Sequence, residues 1–184
     1  PIDMRYRPTK AHTAPWQAAT DALRDLLQSE AEGDVLVFMP GAYEIRRTVQ
    51  CMTKQIERRW NLRFYPLYSA LSAGEQDAAL TPNNQRRVIV STNVAETSIT
   101  IEGIRHVIDS GLARVHRHDP RRGIDVLLVE HISRASSQQR AGRAGRTAPG
   151  TCTRLWSQAE DSARPERDAP EIQRLDLADA LLQL

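Results

Sequence analysis

Residues 33–41 read GDVLVFMPG, and this stretch decides the fold. Val35 to Met39 form an unbroken apolar run, stopped by Gly33 on one side and Pro40–Gly41 on the other. A short, valine-rich run with no polar alternation fits a strand buried on both faces, as in parallel sheets. The next segment changes period. Ile45, Val49, Met52, Ile56 and Trp60 recur at steps of three and four, which predicts an amphipathic helix over Ala42 to Trp60.

The alternation extends in both directions. Upstream, Ile2, Met4 and Tyr6 alternate with polar residues as in a strand, and Trp16 to Ser29 puts Ala19, Leu23, Leu26 and Leu27 on one helical face. Downstream come a strand at LRFYPLY (62–68), a short helix at 71–80, and strands at RRVIVST (86–92) and IRHVID (104–109). In RVHRHDPRRGIDVLLVE (114–130), two alternating runs flank a Pro-early, Gly-late turn, giving a β-hairpin over about 115–129 with a basic tip. A helix follows from Ser133 to Arg146, then a last strand at GTCTRLW (150–156). Strand–helix alternation with short connections predicts an α/β fold, a parallel sheet with helices on both faces plus a hairpin insertion. The chain of 184 residues suits one domain. The polar, proline-containing stretch after Trp156 reads as a linker, and residues 171–184 as the start of a further amphipathic helix.

No apolar run approaches the ~20 residues that span a bilayer, and the N-terminus carries no signal-peptide pattern. Cys51 and Cys152 lie far apart and read as small core residues of a reducing compartment, so no membrane partner, no metal site and a cytoplasmic location are expected. Net charge is only +2, but Arg114 to Arg146 holds eight arginines against three acids. Arginine's planar fork grips phosphate in two places.

QQRAGRAGR (138–146) packs three arginines and two glycines into nine residues. At 100° per residue, Gln139, Gly142, Arg143 and Arg146 share about one third of a helix circumference, while Arg140 points elsewhere. Two glycines weaken a helix by about 1 kcal/mol each, which makes sense where a ligand or another chain approaches the backbone. Two guanidiniums on such a face form a polyanion clamp, suited to charge that grows on a transferring phosphoryl group. STNVAETSITIEG (91–103) brings Ser91, Thr92, Asn93, Thr97, Ser98 and Thr100 into a loop after a buried strand. Ligands of open parallel sheets bind at that carboxyl edge, and these side chains suit phosphates and ribose hydroxyls.

LVFMPGAYEI (36–45), YPLYSALSAGEQ (65–76), STNVAETSITIEGIRHVID (91–109) and QRAGRAGR (139–146), in this order, resemble the second RecA-like domain of superfamily-two helicases of the DEAH/RHA group. The DPRRG turn (119–123) and the PEI…DL continuation (170–177) resemble the bacterial HrpB-type members.

The resemblance implies a RecA-like P-loop NTPase fold over residues 1–157, with 158–184 a linker and the start of a winged-helix region. It implies the C-terminal half of the motor of an ATP-dependent RNA helicase. Gln139, Arg143 and Arg146 would reach the ATP γ-phosphate, with Arg146 the finger and Gly142 beside the nucleotide. Ser98 would sense the γ-phosphate region, and Thr100 and Glu102 would lie near the ribose. Leu80 stands where several relatives stack an aromatic ring on adenine. Thr92 and Asn93 would hold the nucleic-acid backbone, and the hairpin, with Arg117, Arg121 and Arg122, would face the emerging strand. Partners are single-stranded nucleic acid, with RNA expected, an upstream RecA-like domain and the downstream winged-helix region. The sequence holds no G-x-x-x-x-G-K-[ST] and no DEAH tetrapeptide, so the phosphate cradle and the acid that holds Mg²⁺ are expected in the upstream domain. A non-catalytic nucleic-acid-binding or scaffold domain on the same fold is the alternative.

Overall fold

The computed structural model describes residues 1–29, 31–56, 58–97, 99–119, 124–146 and 148–168. Six strands form the main sheet: β1 (Ile2–Tyr6), β2 (Asp34–Phe38), β3 (Leu62–Leu67), β4 (Arg86–Ser91), β5 (Ile104–Asp109) and β8 (Gly150–Arg154). Their order is β1-β8-β5-β2-β4-β3 and every pairing is parallel. The apolar run at 35–39 thus lies at the centre of the sheet, flanked by β4 and β5.

Two faces of that sheet are buried because each central strand is apolar on both sides. Val35 and Val37 of β2 point into one cluster with α1 (Pro15–Gln28) and α2 (Ala42–Gln55). Leu36 and Phe38 point into the other, with Ala79 of α3 (Ala73–Leu80), Ala95 of α4 (Val94–Thr97) and Ala141 of α5 (Arg134–Ala141). Pro15 opens α1, where its missing N–H costs nothing. The helix expected over 42–60 stops at Gln55, because Ile56 takes an extended conformation (φ −86°, ψ 127°), and residues 58–60 form a separate 3₁₀ turn. α3 begins at Ala73, where Ser72 and Glu75 close a capping box.

The hairpin is longer than its sequence signal. β6 (Leu112–Asp119) and β7 (Ile124–His131) pair with each other as a separate two-stranded antiparallel sheet. The alternation is weakest at its base, which is why 115–129 undercounts it. Ile124, Leu127, Leu128 and Val129 of β7 are 46–48% exposed.

The polar stretch read as a linker is instead packed on the sheet through residue 168. Ser157 and Glu160 cap a short helix α6 (Gln158–Ala163), whose Asp161 takes hydrogen bonds from Trp156 and Arg154 at 2.9 and 2.8 Å. Arg164 is buried. It lies 4.1 Å over the Trp156 ring and donates to the carbonyls of Gly111 and Ile132. Gly111 has φ +71°, and a Cβ there would run into the Arg164 guanidinium and, at 2.7 Å, the Trp156 ring, so any other side chain would be strained. Residues 165–168 then cross the start of α5: the carbonyls of Pro165 and Glu166 accept from Arg134 and Ala135 N–H, and the Asp168 carboxylate accepts from Ser133 N–H and Oγ. Those N–H groups have no intrahelical partner of their own. The expected winged-helix start at 169–184 lies outside the described residues.

Candidate nucleotide and nucleic-acid sites

β4 and β5 both lie parallel to β2, with Ser91 beside Phe38 and Ile104 beside Asp34. The connection between them therefore leaves at the carboxyl edge of the sheet and re-enters at the amino edge, a span of ~13 Å at ~3.3 Å per residue. This corrects the expectation of a single loop site. Thr92 and Asn93 lie at the carboxyl edge, while Thr100 and Glu102 lie toward the opposite end. Ser98 lies outside the described residues.

The carboxyl-edge group is built on α4. Thr92 N–H donates to Leu67 O, and the Thr92 and Asn93 carbonyls accept from Ala95 and Glu96 N–H. The Asn93 side chain is left exposed, on the rim of a cleft of about 630 Å³ that also involves Arg114, Arg117, Ser136 and Arg167. Arg117 makes two 2.8 Å hydrogen bonds to Glu130 across the hairpin, and that carboxylate holds the guanidinium above its ordinary pKa. Its charge is therefore partly balanced within the hairpin. Arg121 and Arg122 lie outside the described residues.

The arginine stretch departs from the expected register. α5 ends at Ala141, and residues 142–145 form turns, so the shared face does not continue to Arg146. Arg143 turns inward. It is 5% exposed and its guanidinium donates to the carbonyl of Glu96, which the end of short α4 leaves without a helical partner, and to that of Ile99 beyond the helix. Burial, then the neighbouring charge of Arg146, pulls its pKa below the ordinary arginine value. Gln139 and Arg146 remain exposed, and Arg146 Nη1 lies 3.4 Å from Thr100 Oγ1. One residue read as nucleotide-facing thus meets the arginine read as the finger. Gly145 is bare for another reason than ligand approach: a Cβ would meet the Ile2 side chain at 2.5 Å. At Gly142 a Cβ would meet only backbone oxygens of its own helix, at 3.3 Å and beyond.

The two least exposed arginines among the described residues have structural partners that the sequence reading did not name. Arg140 does point away from Arg146, and what it points at is the core. It is 1% exposed, bound by Glu96 (3.0 Å) and the fully buried Asp109 (2.9 Å), and stacked 4.8 Å over Phe38. Burial opposes its charge, but Asp109 and Glu96 outweigh burial and raise its pKa. It also donates to Leu112 O, the first residue of the hairpin, while Glu96 accepts from Ser136 Oγ. Glu96 is thus the shared anchor of α4 and α5.

Arg87 is the second. It pairs with Asp34 at 2.6 Å and donates to the carbonyls of Ala79, Leu80 and Glu102. One guanidinium therefore fixes the backbone of both Leu80 and Glu102, and Leu80 itself packs on the core. Replacing Arg87 by alanine is expected to cost roughly 2–3 kcal/mol, the low side for a broken buried pair because Asp34 keeps 16% of its side chain in water. Urea denaturation checks this, and a change under about 0.5 kcal/mol, the level of a neutral surface substitution, would contradict it.

Among the described residues, no three His, Cys, Asp or Glu side chains are grouped to hold a metal ion, and no helix is long and apolar enough to cross a membrane.

Comparison with known proteins gives a consistent set of likenesses. The helicase conserved C-terminal domain family matches residues 18–148. The chain is 42% identical to the ATP-dependent RNA helicase HrpA of Escherichia coli over 189 residues, covering 100% of this chain and 14% of that protein. It is 40% identical to HrpB of the same organism, covering 100% of this chain and 23% of HrpB. The crystal structure of the E. coli DExH-box NTPase HrpB superposes with a TM-score of 0.92 at 39% identity, over 100% of this chain and 23% of that one. The chain thus spans between about a seventh and a quarter of the length of these relatives.

Proposed function

Because the chain belongs to the helicase conserved C-terminal domain family, we propose that it is the second RecA-like half of the motor of an ATP-dependent RNA helicase. In this reading residues 1–157 form the RecA-like domain, 158–168 are a linker docked on it, and a winged-helix region starts beyond them. An upstream RecA-like domain supplies the phosphate cradle and holds Mg²⁺. Arg146 reaches the γ-phosphate from this side, with Gln139, Thr100, Glu102 and Gly142 around the nucleotide. Arg143 acts by holding the Glu96–Ile99 backbone, and Ser98 lies within the same connection. Thr92 and Asn93 grip the backbone of a single strand at the other edge, with Arg117 and the Arg121–Arg122 tip of the hairpin beside its path. The protein works in the cytoplasm.

The observation that carries this reading is the course of residues 92–103. One connection runs from the exposed Asn93 to Thr100 beside Arg146, and Glu96 in its middle is tied to α5 through Ser136 and Arg140. The nucleotide contact at Arg146 and the strand contact at Asn93 thus share one connection. Closure of the two domains on ATP and their opening after hydrolysis would move the grip along the strand.

The test is Thr92→Ala with Asn93→Ala in a protein that carries the upstream domain. Binding of single-stranded RNA is expected to weaken similarly for unrelated sequences, because backbone contacts carry little sequence information. A loss confined to one sequence, or none, contradicts the grip. Strand binding without ATP turnover in that protein favours the non-catalytic alternative.

A further inference from the structure

α1 and α2 both begin at the carboxyl edge of the sheet, where Thr92 and Asn93 lie. α2 follows the end of β2 through Pro40–Gly41. The first turn of each helix carries an aromatic ring, and the two meet edge to face, with centroids 6.0 Å apart and planes at 86°. Arg47, one turn beyond Tyr43, places its guanidinium 5.2 Å from the centre of the Trp16 ring. Tyr43 contributes little to the core. It is 51% exposed, while Ile45, two residues on, is fully buried.

This patch continues into the cleft at Asn93. Arg114, which lines that cleft, lies over Gly41, where a Cβ would meet its Nε at 2.5 Å. The same guanidinium reaches Glu44 at 3.5 Å, so the one acid of this turn of α2 already faces a cation. Arg46 and Arg47 are exposed. The surface from Asn93 through Arg114 to Tyr43 thus joins cations to a half-free aromatic ring. Cations complement phosphates, and the open face of a ring held rigid by a second ring complements a base.

We propose that Tyr43, backed by Trp16 and Arg47, is a base-stacking platform for the single strand as it passes from the cleft at Asn93 across Arg114. The proposal rests on the reading of Thr92–Asn93 as the strand grip. Stacking tolerates any base, so the platform adds affinity without sequence preference. The phenol hydroxyl is dispensable, since the ring face makes the contact.

The experiment is a fluorescence-anisotropy titration of the 184-residue chain with a fluorescein-labelled oligouridylate about twelve nucleotides long. A parallel set carries a single abasic site at each position in turn. Tyr43→Ala is expected to weaken binding about 5- to 100-fold, the range for losing one base–aromatic stack, with Tyr43→Phe close to the unsubstituted chain. One abasic position should weaken the unsubstituted chain but not Tyr43→Ala. If Asn93→Ala weakens binding while Tyr43→Ala does not, the platform is overturned and the grip stands; a patch that serves a protein segment instead gives this result. Equal losses for Tyr43→Phe and Tyr43→Ala also overturn it, pointing to the hydroxyl. No binding by the unsubstituted chain, or no effect of Asn93→Ala, overturns the grip and the platform together. The abasic series on the unsubstituted chain decides the matter even if Tyr43→Ala unfolds.

Discussion

Arg146→Ala, in a protein that carries the upstream domain, is expected to slow ATP hydrolysis by about 10³–10⁵-fold while ATP binding changes far less. The reason is differential binding. A guanidinium aimed at charge that develops late stabilises the transition state more than the ground state, so its loss falls on kcat. Arg146 is free for this task because it is exposed and its one hydrogen bond among the described residues is a long one to Thr100, at 3.4 Å. Arg146→Lys should recover little, since an ammonium cannot reproduce the fork. Arg24→Ala is the comparison. Arg24 sits on α1, across the sheet from α5, in a partly exposed pair with Asp21. Single-turnover hydrolysis over a series of ATP concentrations, up to saturation, measures all three. A loss in KM alone for Arg146→Ala would make it a binding residue and remove the finger assignment.

Arg140→Ala is expected to act on stability instead, lowering the unfolding free energy by about 3–5 kcal/mol. The pair it breaks is buried on both sides: Arg140 is 1% exposed and Asp109 is fully buried. Removing the cation leaves the Asp109 and Glu96 carboxylates in the core beside Phe38, without their shared partner. For a domain of this size each kcal/mol is worth roughly 2–4 °C, so the melting temperature should fall by about 10 °C. Thermal unfolding followed by circular dichroism reads it, and a drop under about 1 kcal/mol would show that the network is dispensable. This variant is therefore no silent comparison for Arg146, although the two arginines belong to one short motif. Spacing sets the two apart, and the fold shows that Arg140 faces the core.

The strand–helix order was legible because buried parallel strands are apolar on both faces, and the short, valine-rich run at 35–39 favours such a strand. The ends of elements were not. QQRAGRAGR looks helical by spacing, but the shared face fails once Arg143 finds the carbonyls of Glu96 and Ile99 and the helix stops at Ala141. Neither the crossing of 92–103 from edge to edge nor the Arg87–Asp34 pair can be read along the chain. The first needs β4 and β5 on opposite sides of β2, and the second joins residues 53 positions apart. The packed segment 157–168 misled by composition. Asp161 and Asp168 are partners of Trp156, Arg154 and Ser133 and Arg164 is buried, while the polar residues around them stay exposed.

The central claim is that one connection joins two separate contacts, ATP at Arg146 and the strand at Thr92–Asn93. RNA-stimulated ATP turnover by the protein with its upstream domain, titrated with single-stranded RNA, tests it most directly. Arg146→Ala should flatten the plateau and leave the half-saturating RNA concentration within about 2-fold, because it removes transition-state charge stabilisation alone. Thr92→Ala with Asn93→Ala should move the half-saturating concentration upward by at least about 10-fold, as lost backbone contacts require. Variants that change both quantities alike, or that exchange these two patterns, would contradict the account.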